Sequence, residues 1–351
     1  MNNDIIERYN AFWAHEDTDR PILNISVRDE SVSWDGHAPI SAQEKWENLE
    51  ARYAASRLGM KSIKRFGDAI VHDWVNFGPG CLAAMMGSNY VTKEDTVWFG
   101  VGEYFFKDYS NIDDLRLLSD TPMYKMVTDM TKMLTERNDG SYMVGISDLG
   151  GNLDILASLR NTQDLLADLY DEPDMVIKAV EIIDTAWIEY YSMLRGIIKE
   201  SGQNGHTTWL GPWCETTYYP LQCDFAYMIS PHDFERFVMP SLKRISEFLD
   251  HSIFHLDGPG QIVHLDHLLS LPSLDGIQWV PGDGNPPVYD EKWFPMYEKI
   301  QAAGKCLVLH GIGSVDDALK ICNNLSHKGL WLDIHLKSEA EAEKLLLTQS
   351  L

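Results

Sequence analysis

Basic residues are scarce in this chain. Twenty-nine Lys and Arg stand against 53 Asp and Glu in 351 residues, a formal charge of −24. So acidic a surface repels nucleic-acid phosphates and anionic lipid, which argues against nucleic-acid and membrane-surface roles. Cysteine is sparse as well. The five present (Cys81, Cys214, Cys223, Cys306 and Cys322) include no CxxC pair, which excludes zinc-ribbon and thioredoxin-type motifs. No apolar run approaches the roughly 18 residues that span a bilayer. The first residues, Met1-Asn-Asn-Asp-Ile-Ile-Glu-Arg, lack the basic and apolar regions of a signal peptide. A cytoplasmic location with reduced thiols is therefore expected. Gly78-Pro79-Gly80 and Gly311-Ile312-Gly313 lack the further glycines of a Walker or dinucleotide fingerprint. No fixed-period repeat or low-complexity tract divides the chain.

What is present is alternation. Short apolar or β-branched runs at 21–27, 68–75, 142–148, 206–211, 252–257, 276–280, 305–310 and 329–335 are each followed by sequence of helical character. Ser230-Pro231-His232-Asp233 carries an N-cap serine, a first-position proline and an acid in the first turn. Ser338-Glu339-Ala340-Glu341 has the form of a capping box. Residues 162–201 read as two helices broken near Asp171-Glu172-Pro173-Asp174. Parallel strands need crossovers of a dozen or more residues, so eight strand–helix units predict an α/β fold. The specific expectation is a (β/α)8 TIM barrel with extra N-terminal helices, in one domain spanning 1–351.

In such a barrel the chemistry sits where the strands end. His255 and Asp257 are two apart on one predicted strand, so both side chains face the same way. Imidazole and carboxylate are both zinc ligands, and a catalytic zinc takes three protein ligands and keeps one position open. His310 and His335, at later strand ends, are the candidate third partners. The competing reading is that Asp257 only orients the glycine turn behind it. Asp148 and Glu215 are the candidate acid–base groups or polar anchors, because a carboxyl with a raised pKa can carry protons. Asp154 reads instead as a helix cap, and Cys214 and Cys223 as inert buried thiols. Eleven tryptophans, with Trp74, Trp209, Trp213 and Trp279 near strand ends, predict a flat-walled substrate pocket. Asn152, Tyr218 and His310 are added to its lining.

The segment Cys223-Asp224-Phe225-Ala226-Tyr227-Met228-Ile229-Ser230-Pro231-His232-Asp233-Phe234-Glu235-Arg236-Phe237-Val238-Met239-Pro240 resembles the superfamily of uroporphyrinogen decarboxylase and the cobalamin-dependent methyltransferases. Ile253-Phe254-His255-Leu256-Asp257-Gly258 is similar to the family's His-x-Cys-Gly strand end, and the likeness runs from about Cys223 to His310. It implies the same barrel. The decarboxylases' arginine motif of the type RQAGR is missing after Pro21, where Asn24-Ile25-Ser26-Val27-Arg28-Asp29 stands. The methyltransferase branch uses a zinc held by His-x-Cys and a later Cys, with a corrinoid carried by a partner protein. Here Asp257 stands at the first cysteine, and Leu332-Asp333-Ile334-His335-Leu336 offers no second. The resemblance so read implies a harder His255/Asp257/His335 zinc site, suited to a methoxy or methylamine donor. A metal-free decarboxylase of a smaller substrate, with Asp148 and Asp283 moving protons, is the alternative; a non-catalytic binding barrel is another. A homodimer is compatible with each.

Overall fold

The computed structural model describes residues 2–33 and 41–349. Its strands are β1 (Ile22–Arg28), β2 (Ile63–Gly67), β3 (His72–Trp74), β4 (Tyr90–Thr92), β5 (Val97–Phe99), β6 (Met143–Gly145), β7 (Tyr218–Gln222), β8 (His251–Asp257), β9 (Gly276–Val280), β10 (Cys306–Ile312) and β11 (Leu330–Leu336). A seven-stranded sheet runs β2-β1-β11-β10-β9-β8-β7. All its neighbours are parallel except β2, which lies antiparallel on β1. A parallel pair β3-β6 and an antiparallel hairpin β4-β5 complete the strands. The protein is thus mixed α/β, with helices between successive parallel strands. Among the described residues no helix is long and apolar enough to cross a membrane.

Seven of the eight expected strands coincide with observed ones within a few residues. The exception is 206–211. There the chain touches β6 through a single parallel bridge, Ile146 to Thr208, then doubles back so that His206 and Cys214 exchange backbone hydrogen bonds at 2.6 and 2.9 Å. Thr207 and Thr208 have strand-like side chains but spend them locally. The Thr207 hydroxyl donates to the Pro212 carbonyl at 3.1 Å, and the Leu210 amide donates to the Thr208 hydroxyl at 3.3 Å. Side chains that bond their own backbone favour turns over ladders. The strand that takes the place in the sheet, β7, begins seven residues further on.

Helix signals were more reliable. Ser230 accepts the Asp233 amide and caps Pro231–Phe237. Ser338 accepts the Glu341 amide at the start of Glu339–Gln349. Helices Thr162–Asp171 and Pro173–Glu200 break at Glu172, where proline takes the first helical position.

Strand alternation sorts the core into two. Leu23, Ile25, Leu221, Phe254, Leu256, Ile277, Trp279, Leu307, Leu309, Leu332 and Ile334 pack with the helices in one large cluster. Ile22, Tyr218, Ile253, Val308 and Trp331, on the other side of the same strands, pack with Tyr9, Phe12 and Trp13 of the first helix, Asn3–Trp13. Residues two apart share a face, so each strand contributes to both. The first helix is pinned across the amino ends of the strands: Trp13 Nε1 donates to the Trp213 carbonyl at 2.8 Å and Trp331 Nε1 to the Tyr9 hydroxyl at 3.2 Å.

Asp68 ties this end together. Only 2% exposed, it accepts the Leu23 amide at 2.9 Å and a fork from Arg20, with Arg8 Nε 3.3 Å away. Removing one partner of a buried ion pair strands the other and costs about 3–5 kcal/mol. Asp68→Ala should lose stability of that order in urea unfolding, and Asp68→Asn, which keeps an acceptor for Leu23, should lose less. Equal midpoints for all three proteins would refute this account.

Candidate functional site

The carboxyl ends of β7 and β8 bring three metal-competent side chains together. His255 and Asp257 come from β8, as their spacing predicts. The third is Asp224, on the short turn Asp224–Met228 that follows β7. One donor atom from each lies within 4.8 Å of the others. His335 does not take part. Its Nε2 sits 3.0 Å from Asp333 and its Nδ1 2.6 Å from the Ser26 hydroxyl, so both ring nitrogens are engaged on β1 and β11. The Asp333 hydrogen bond holds the His335 pKa above its usual value.

Hydrogen bonding dictates which nitrogen of His255 is free. Burial pushes the His310 pKa down, leaving a neutral ring with a single N–H. His310 Nε2 lies 3.0 Å from the Leu210 carbonyl, which can only accept, so Nε2 carries the proton. Nδ1 must then accept, and the Gln278 amide nitrogen donates to it at 3.1 Å. This turns Gln278 Oε1 toward His255, whose Nδ1 donates at 2.5 Å. In neutral His255 the lone pair is therefore on Nε2. A metal-binding imidazole is characteristically oriented in this way, its other nitrogen donating to an oxygen. Trp209 completes the surround, edge-on to the His255 ring at 5.5 Å.

Carboxylates crowd the same mouth. Asp148 is buried and accepts the Gly150 amide at 2.9 Å. Burial pushes its pKa up to about 6, opposed by that amide and by His255. Asp154 accepts the amides of Asp224 and Phe225 at 2.9 and 2.7 Å, so it caps the turn that carries Asp224 rather than its own helix. Burial raises its pKa, and Asp224 raises it further. Asp224 is the most exposed of the three metal-competent residues, yet the rim takes part of the water from its carboxyl. That desolvation raises its pKa, Asp257 adds to the shift, and His255 opposes it. A Cβ on Gly151 would stand 2.0 Å from the Gln222 carbonyl, so only glycine lets the loop behind Asp148 press against β7.

A cavity of about 360 Å³ opens beside Asp224 and Asp154, walled by Trp98, Phe99, Tyr104 and Phe225. None of these four was expected. The alternation of Tyr90-Val91-Thr92 and Val97-Trp98-Phe99 about a polar turn is a hairpin signal that could have pointed to them.

Several expected lining residues lie elsewhere. Trp213 and Tyr218 are fully buried with the first helix at the amino ends. Glu215 is there too, bonded to Asn10 at 3.3 Å, because the 206–214 reversal places it before β7 rather than after a strand. Trp279 faces the helices and packs on Trp293 at 4.9 Å; its neighbour Gln278 faces inward. Asn152 is buried behind β7 beside Ile183 and Trp187. Trp74 lines a separate cavity, and Asp283 is exposed. Cys214 and Cys223 are buried, unpaired and outside the metal-competent group; burial pushes the Cys214 thiol up to about 11 and that of Cys223 well above its usual value.

No protein-family model and no curated protein matches the chain. Among solved structures, a methyltransferase from Methanosarcina mazei superposes with a TM-score of 0.57 at 14% identity, covering 99% of this chain and 98% of that one. The two share a fold over their whole lengths.

Two outcomes follow. Gln278→Leu removes the acceptor that fixes His255. The ¹⁵N signals of the neutral His255 ring should show the Nδ1–H tautomer alone in the wild type and a mixture in the variant; identical His255 signals would contradict the relay. For Asp148, the native pKa lies above the ordinary value of 3.8. The destabilising cost is therefore absent below about pH 4, grows as pH rises and is complete above about pH 6, reaching on the order of 3 kcal/mol. Asp148→Asn should raise Tm of metal-stripped protein by a few degrees at pH 7.5 and not at pH 4.

Proposed function

We propose that the protein is a methyltransferase moving a methyl group between a small methoxy- or methylamine-type substrate and a corrinoid held by a separate protein. The framework is read as a single-domain barrel of the (β/α)8 type, in which β2, antiparallel on β1, takes an edge of the seven-stranded sheet and β3-β6 stands as a separate pair. The observation that carries the reading is the convergence of Asp224, His255 and Asp257 on a fold shared with a methyltransferase.

The donor set fits zinc: one nitrogen and two carboxylate oxygens, three ligands in all, with one side open to solvent at Asp224. When bound, zinc would supply Lewis acidity toward the substrate's heteroatom. Replacing thiolates by oxygens favours a hard oxygen or nitrogen atom there over sulfur. The chain's own residues do the rest. Gln278 and His310 hold His255 in its ligating tautomer. Asp148, with a pKa near 6, can exchange a proton with the heteroatom that loses or gains the methyl group close to neutral pH. Phe99, Tyr104 and Phe225 give the substrate's carbon frame an apolar wall. Around the mouth, Trp98, Tyr227, Met228 and Val263 are 48–60% exposed. Large apolar side chains left in water beside a site suit docking of a partner protein.

Elemental analysis should find close to one zinc per chain, lost in His255→Ala and in Asp224→Asn/Asp257→Asn but kept in His335→Ala. With a reduced corrinoid protein and a panel of methoxy and methylamine donors, methyl transfer should fall at least about a hundredfold in His255→Ala, the scale of lost metal assistance. Absence of zinc even after it is offered, with carbon dioxide release that survives chelation, would instead establish the decarboxylase.

A further inference from the structure

Beyond the metal-competent cluster, the structure assigns a second binding site: the cavity between β2 and β3 takes a small organic anion, a carboxylate on a flat apolar body. It encloses about 450 Å³ and lies between Arg65 on β2, residues 72–76 of β3 and its continuation, and the helix Leu49–Lys61. No part of it is shared with the cavity at Asp224.

Charge is the first ground. In a chain with 53 acids, three cations, Lys45, Arg52 and Arg65, line one cavity without a direct ion pair among the described residues, although the Asp73 charge acts on Arg52 from a distance. Each is held by backbone carbonyls instead. Lys45 donates to Glu94, and Arg52 to Lys45 and Asn76. Arg65 Nη1 donates to Met60 at 3.3 Å and Ile63 at 3.1 Å. Arg52 also stands over the Phe77 ring at 4.4 Å and Lys45 over Trp46 at 5.4 Å; carbonyls and rings orient these cations without cancelling their charge. Of the two acids on the lining, Asp73 is already satisfied by Ser56 and by Arg57 at 2.8 Å, and Asp95 is exposed. Positive charge is thus left over in the cavity.

Unspent donors are the second ground. Arg65 Nε and Nη2 make no hydrogen bond among the described residues, and Arg52 Nε is buried without a partner. His72 Nδ1 is buried on the same lining without a well-formed hydrogen bond, its ring meeting only the Ile70 backbone. Burial lowers the His72 pKa to about 4, so the ring is neutral and can meet a polar ligand atom as donor or acceptor. Buried polar atoms without partners, as at Arg52 Nε and His72 Nδ1, are costly, and a ligand relieves that cost. A guanidinium fork matches a carboxylate in plane and spacing. Met60, Val75, Met130 and Trp74 supply the apolar remainder of the lining. The acidic exterior does not forbid this, because repulsion beyond about 8 Å is screened at physiological salt.

The test is titration calorimetry of the full chain with benzoate, its neutral isostere benzamide and inorganic phosphate. Benzoate should bind one per chain, at least about tenfold more tightly than benzamide or phosphate, a margin of about 1.4 kcal/mol. Arg65→Gln should weaken benzoate by about tenfold, and Lys45→Gln, which gives up one surface carbonyl contact, should weaken it too; circular dichroism checks both folds. His255→Ala should bind benzoate as the wild type does, which separates this site from the metal-competent one. No benzoate heat up to about 10 mM, the range of a single weak contact, would overturn the assignment. So would benzamide or phosphate binding as tightly as benzoate, or full binding by both cavity variants.

Discussion

The reversal of the chain between His206 and Cys214 is the constraint on which the site depends. A strand there would have sent its residues along the sheet. Instead the turn packs on one face of the sheet, with Leu210 and Trp213 joining the apolar cluster around Trp331 and the first helix. From that position the Leu210 carbonyl orients His310, His310 orients Gln278, and Gln278 orients His255. Trp209 of the same turn meets the His255 ring. One backbone carbonyl thereby decides, three side chains away, which imidazole nitrogen of neutral His255 keeps its lone pair.

Charge is distributed with the same economy. Four carboxyls, those of Asp148, Asp154, Asp224 and Asp257, share the mouth of β6, β7 and β8, and burial raises the pKa of the first three. Such crowding is unfavourable unless a cation or a proton joins it. Across the fold, the gap between β2 and β3 concentrates cations that make no direct ion pair among the described residues. The net charge of −24 conceals both features, because each is made by placement rather than by number.

Local patterns carried most of the fold. The run Gly276-Ile277-Gln278-Trp279-Val280 is a strand with the bounds expected of it, and the Ser230 cap and the break at Glu172 fall where their chemistry puts them. The tryptophans were less legible. Trp279 and Trp209 look alike as aromatic residues near strand ends, yet one packs against Trp293 among the helices and the other stands at His255. Glu215 follows an apolar run as a catalytic acid would, but the run is a turn and the residue emerges at the opposite end of the sheet. Asp224 lies inside the segment that resembles the superfamily, but a loop residue has no periodicity to announce that it points toward His255 and Asp257.

The sequence by itself determined the alternation of strands and helices, and the pairing of His255 with Asp257 on one face. Both follow from interactions within a few residues: a strand's period of two and a helix's caps. Tertiary structure alone decided that Asp224, not His335, joins His255 and Asp257, that the free lone pair of neutral His255 is on Nε2, and that Arg52 and Arg65 face one cavity. Period two relates residues within a strand but says nothing about which neighbour lies across the interior. That depends on the register of β8, β9 and β10 and on a turn that enters from elsewhere in the chain.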